Sequence, residues 1–263
     1  MPKLLTEASV NRNAIQSGRF PPLDFLVVSC WMGLVVICLS IPTSPFFAFS
    51  VYGGALLVIQ HLYLVVFKGG ADEHRLQVAL GIPIFLLLSA FVHRWVAVLT
   101  PSTYDAWLLR WDFGVAATVR AWSSAISWRA YSLSWCYEGL PAVFLLVLVF
   151  TRGISFRRLV VSSALAGLLA VPCYLLFPAV GPVHIGDLHS PRNCMPSLHL
   201  TWALLLWVNS NGWIRLAALA FALIIALATL TTGEHYTLDL LITFPFTLGV
   251  MVLAERVADR MER

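Results

Sequence analysis

A chain of 263 residues with 59% hydrophobic and only 11% charged side chains cannot cover itself in water, where about a quarter of residues are ordinarily charged. The solvent that suits it is lipid. The formal charge of +4 does not mark a nucleic-acid binder, because the basic residues sit mostly at the ends of apolar runs, where membrane orientation places them.

The N-terminal lead carries Lys3, Arg12 and Arg19 without a small-residue cleavage pattern after the first apolar run, so that run reads as a retained signal anchor. Crossing the hydrocarbon takes about 20 apolar residues. On that measure the sequence predicts eight helical spans, at about 24–41, 46–67, 77–99, 135–151, 157–177, 196–210, 213–231 and 238–254. Turn-forming residues separate them, among them Pro42-Thr43-Ser44-Pro45, Gly69-Gly70, Asn209-Ser210-Asn211-Gly212 and Thr231-Thr232-Gly233. No alternating pattern of a membrane barrel is present. The expected fold is therefore all-α: one integral membrane domain over residues 1–263, a polytopic bundle with room for a six-helix catalytic core.

Residues 100–134 are too apolar for a linker and too interrupted for a span. They hold Trp107, Trp111, Trp122 and Trp128, with Arg110, Arg120 and Arg129 between them, and Trp135 follows. Trp favours the headgroup level, so an interfacial or re-entrant amphipathic segment is expected there, serving as an anchoring belt or as a lipid-entry surface.

Orientation follows from the cations. With the N-terminus inside, the inner segments hold Lys3, Arg12, Arg19, Lys68, Arg75, Arg152, Arg157, Arg158, Arg215, Arg256, Arg260 and Arg263, and the outer loops hold Arg110, Arg120, Arg129 and Arg192. Twelve against four predicts cytoplasmic termini and outward-facing loops at 100–134, 178–195 and 232–237.

Ionisable residues at span mouths are expensive and mark function. His199 follows Pro196-Ser197-Leu198; a proline there is expected to open a helix, putting His199 among unpaired N–H groups that attract anions. His235 and Asp239 stand four apart, a spacing that puts them on one helix face. A carboxylate against one imidazole nitrogen makes the other a better nucleophile or base. The topology brings all three residues to the outer surface at one depth. Cys30, Cys38, Cys136, Cys173 and Cys194 form no metal-ligand spacing; four read as packing residues, and Cys194, in the loop before His199, as a bystander rather than a reactive thiol.

Pro196-Ser197-Leu198-His199 and Glu234-His235-Tyr236-Thr237-x-Asp239 together resemble two signature motifs of the type-2 phosphatidic acid phosphatase superfamily, and within it the branch of inositol phosphorylceramide and sphingomyelin synthases. The likeness runs closely from Phe177 to Phe246 and weakly through Tyr104-Asp105, Asp112 and Tyr137-Glu138-Gly139-Leu140-Pro141. It implies a metal-independent, cofactor-free lipid phosphotransferase or phosphatase. His235 would form a phosphohistidine, Asp239 would orient it, and His199 would protonate the leaving oxygen and then serve the alcohol or water acceptor as base. The phosphatase branch has a basic opening motif and an Arg ahead of the nucleophile, whereas the only lysines here are Lys3 and Lys68, and Ala228-Thr229 stands where Ser-Arg is expected. That departure favours the phosphotransferase branch and leaves the phosphate in need of another cation. Arg192 is the first choice, followed by His184 and His189; Ser197, Tyr236 and Glu138 complete the expected substrate site. Two other classes compete: a transporter using His199, His235 and Asp239 as a proton or ion relay, and an iron site built from the same two His and one Asp.

Overall fold

The computed structural model describes residues 95–151, 153–187 and 190–261, together with scattered positions between 31 and 92. Residues 1–86 and 87–263 form two compact units. In the first, the described positions are helical and include 57–63; the expected spans at 24–41, 46–67 and 77–99 fall mostly outside the described residues.

In the second unit residues 95–99 are helical, and from Asp105 on the described residues form α1 (Asp105–Trp111), α2 (Val115–Ser124), α3 (Ser127–Glu138), α4 (Leu140–Phe150), α5 (Gly153–Leu176), α6 (Leu198–Asn209), α7 (Gly212–Thr232) and α8 (Thr237–Met261). All regular structure among the described residues is helical. Among the described residues three helices are long and apolar enough to cross a membrane: α5, α7 and α8. The α3–α4 pair, bent by 51° at Gly139, makes a fourth if it is one broken span. No more than a third of each long segment is buried, and Leu168, Leu176, Leu216, Leu223, Leu241 and Leu248 point outward. Apolar surface of that extent is stable against lipid and not against water. The chain has the build of a helical membrane protein.

Two boundaries differ from expectation. The expected span at 196–210 is the 12-residue helix α6, about 18 Å long at 1.5 Å per residue and well short of the hydrocarbon thickness. Its central place explains why so short a helix is stable: α6 packs on α4, α5, α7 and α8, burying Leu200, Ala203, Leu204, Leu205 and Leu206. The span expected from residue 135 has helical backbone from Ser127, so the interfacial segment and the following span run into each other at the bend. The segment 100–134 itself is three short helices. Trp107, Trp111, Trp122 and Trp128 are exposed on them, while Asp105 and Asp112 are buried inward. The segment thus has one face for the interface and one for the protein; α2 and α3 pack on α7.

Candidate active site

The loop between α5 and α6 and the turn between α7 and α8 meet over the start of α6. Helix α7 ends at Gly233, whose φ of 76° is the left-handed C-terminal cap that glycine adopts without strain. Gly181, at φ 89°, lies so close beneath this turn that a Cβ would fall 2.3 Å from the Glu234 carbonyl oxygen. Only glycine allows both the backbone angle and the approach. Val183 N–H donates to the Gly233 carbonyl at 3.2 Å and joins the two segments.

Ser197, not Pro196, opens α6. It is the N-cap, its hydroxyl accepting from the Leu200 N–H at 3.4 Å, because a side-chain oxygen is what satisfies the unpaired N–H groups of a first turn. His199 is consequently the second residue of α6, within the turn whose N–H groups and dipole favour an anion. Its imidazole lies flat on the Tyr137 ring, with centroids 3.8 Å apart and planes 15° from parallel.

His235 and Asp239 do come together, though not on one helix face. His235 precedes the helix, and Asp239 sits in the first turn of α8. Its Oδ2 accepts from the Tyr236 N–H at 2.7 Å, the half of a capping box in which the third helical residue satisfies the N-cap N–H, while the Asp239 N–H donates to the Tyr236 carbonyl at 3.1 Å. This cap carries Oδ2 to 3.6 Å from His235 Nδ1, an ion-pair distance just beyond a hydrogen bond. On the other side of the ring, Nε2 stands 3.1 Å from Ser197 Oγ. With the proton on Nδ1 facing the carboxylate, Nε2 accepts from the serine hydroxyl and presents its lone pair toward the start of α6. His235 is 4% and Asp239 0% exposed, and Asp239 Oδ1 is buried with no hydrogen-bond partner.

Cys194 is not a bystander. Its Sγ donates to Asp239 Oδ2 at 2.6 Å and lies 3.6 Å from His235 Nδ1. Burial, then the neighbouring Asp239 carboxylate, push this thiol well above its ordinary range, so it remains a protonated donor. Cys194, His235 and Asp239 are the group of potential metal ligands among the described residues, and not the two His and one Asp expected.

The residues that sequence reasoning left without a role are Asp105 and Asp112. Asp105 accepts from the Val180 and Gly181 N–H groups, each at 3.1 Å, and from the Tyr236 hydroxyl at 2.9 Å. Asp112 accepts from the Thr237 N–H at 2.8 Å and hydroxyl at 2.7 Å, and caps α2 through Ala116 at 2.9 Å. The two carboxylates of the interfacial segment therefore grip the residues on either side of the Tyr236–Thr237 bond, one and two positions after His235. The signal for them was visible: an Asp in a Trp-rich apolar stretch must be hydrogen-bonded inward to be tolerated. Asp105→Ala should leave three buried donors unpaired and cost on the order of 3 kcal/mol. The expected result is a lower melting temperature in detergent together with reduced activity; wild-type values for both would show that Asp105 does not hold the turn.

The expected substrate residues lie as follows. Tyr236 is fully buried with its hydroxyl on Asp105, and burial and that carboxylate raise its phenol far above the usual range, making it a wall of the site. His184 Nε2 pairs with Glu234 Oε1 at 3.1 Å on the half-exposed rim. Glu138 ends α3 next to Tyr137. Arg192 is 2% exposed and donates through Nη1 to the Asp187 and Ser190 carbonyls and through Nε to Thr100. A guanidinium pairs bidentately through Nε with one Nη or through both Nη groups, so either fork on phosphate would displace one of these bonds. Arg120 Nη1 stands 3.1 Å from where a side chain at Gly233 would begin, a second cation beside the turn. His189 lies outside the described residues.

No curated protein and no solved structure matches the chain. The family model described as the PAP2 superfamily matches residues 105–253, which is more than half of the chain and takes in Asp105, Asp112, Tyr137, Cys194, both histidine motifs and Asp239. Members of this group are typically phosphatases or phosphotransferases, and the chain belongs to the PAP2 superfamily.

Proposed function

We propose that this protein is a lipid phosphotransferase of the kind found among inositol phosphorylceramide and sphingomyelin synthases, working through a phosphohistidine at His235, with hydrolysis as its outcome when water is the acceptor. The observation that carries the reading is the 3.1 Å contact between His235 Nε2 and Ser197 Oγ. It joins the two histidine motifs at the start of α6, where the helix N-terminus favours an anion.

In the first half-reaction the Nε2 lone pair attacks phosphorus, and the bond to the leaving oxygen breaks with its electron pair. That oxygen takes a proton from His199, releasing an alcohol. In the second, His199 accepts the proton of an acceptor hydroxyl, the acceptor oxygen attacks phosphorus, and the P–N electron pair returns to Nε2. Asp239 holds the Nδ1 proton and balances the charge on the ring. Assistance of the kind given by His199 contributes about 10²–10⁴ in rate. The charge on phosphate is met by the first turn of α6, by Arg192 and by Arg120. Neither metal nor cofactor has a step in this scheme.

The test is incubation of the purified protein with a panel of labelled lipids, followed by acid quench and separate base quench. A new phospholipid on addition of an alcohol, or free phosphate without one, together with an acid-labile, base-stable phosphoenzyme, is expected. An acid-stable phosphoenzyme would move the nucleophile to Ser197, and transport without turnover would favour the relay reading.

The twelve-to-four distribution of basic residues supports an extracytoplasmic site for the reaction. A cysteine replacing the exposed Ile185 should gain label from an impermeant reagent in intact cells, and one replacing Arg260 should not. The opposite pattern would put the chemistry in the cytoplasm.

A further inference from the structure

Tyr137 has no part in the scheme above, yet it makes the closest ring contact in the site. It belongs to the last turn of α3, two residues before the break at Gly139. The 51° bend there lets α4 pack on α6 while the end of α3 reaches His199. The two rings overlap face to face, 3.8 Å between centroids and 15° from parallel, an arrangement that covers one whole face of the imidazole.

A stacked ring does two things to an imidazole. It fixes the plane, removing the freedom of the broad terminal torsion. Its electron-rich face also attracts a cation and so favours imidazolium over imidazole. A general acid needs both, since it must carry its proton at a fixed angle to the leaving oxygen. We infer that Tyr137 is a positioning residue for His199, its ring holding the imidazole in one plane and in the proton-bearing form that the first half-reaction uses. The inference rests on the reading of His199 as the acid of a phosphoryl transfer. The titratable groups whose charge Tyr137 feels are Glu234 and Cys194 from the loops before α8 and α6, Glu138 on α3 and Tyr174 on α5, with His235 and Asp239 beside Cys194.

The experiment compares Tyr137→Phe and Tyr137→Leu in the purified full-length protein. Two donors are used: a lipid with an alkoxide leaving group, and a phosphoryl ester with a nitrophenolate leaving group that needs no acid. Tyr137→Phe keeps the ring face and should retain kcat/KM within about threefold, with the alkaline limb of the pH profile unmoved. Tyr137→Leu should lose roughly tenfold on the alkoxide donor, keep its rate on the nitrophenyl donor, and lose activity about one pH unit earlier on the alkaline side. The sign follows from the cation: without the stacked ring the imidazolium gives up its proton at lower pH. Equal losses of Tyr137→Leu on both donors with an unmoved limb, or Tyr137→Phe behaving as Tyr137→Leu, would make the ring a packing element and overturn the inference. If wild-type protein transfers phosphoryl from neither donor, the failure lies instead with the phosphotransfer reading beneath it.

Discussion

His235→Ala should take turnover down to background, a loss of roughly 10⁵–10⁶, the scale on which removal of an enzyme's nucleophile registers. Two features of the site demand so large an effect. The imidazole turns Nε2 toward Ser197 at the start of α6, and its other nitrogen is backed by a carboxylate that is 0% exposed. The fold should survive: Asp105, Asp112 and the Asp239 cap hold the neighbouring backbone without using the imidazole. Denaturation should therefore show a modest change, and the phosphoenzyme trap should be empty. Residual activity within tenfold of wild type, in a protein that melts normally, would exclude His235 as nucleophile and leave Ser197 as the next choice.

Asp239→Asn is expected to lower kcat by about 10³–10⁴, the loss seen when a carboxylate that fixes a catalytic histidine's tautomer becomes an amide. The structure gives the replacement a way to fold. Its amide oxygen can keep the bonds from the Tyr236 N–H and the Cys194 thiol that Oδ2 now accepts. Its NH₂ then occupies the place of Oδ1, which is buried without a partner. Lost instead is the negative charge 3.6 Å from Nδ1, and with it the bias toward a proton on Nδ1 and a lone pair on Nε2. A near-normal rate in a well-folded preparation, measured by single-turnover release of the leaving alcohol, would mean that Asp239 serves only as a helix cap.

Composition and local order determined the solvent and the helices of this protein, because a run of about 20 apolar residues has one stable arrangement in lipid. Local order also brought His235 near Asp239, since four residues cannot separate them far. It misjudged how they meet, because helix spacing and a carboxylate folded back on the N-cap N–H bring the same two side chains together, and only the backbone of Tyr236 distinguishes them. For α6, apolar content suggested a span, while a 12-residue helix surrounded by four others needs no lipid of its own. The contacts that finish the site were decided by tertiary structure alone. Asp105 reaches Tyr236 across 131 positions, Cys194 reaches Asp239 across 45, and Tyr137 meets His199 from another helix. No periodicity encodes such pairs. They arise because burying a carboxylate, a thiol or an imidazole is costly until a partner is found, and those partners come from whichever helices the packing sets beside them.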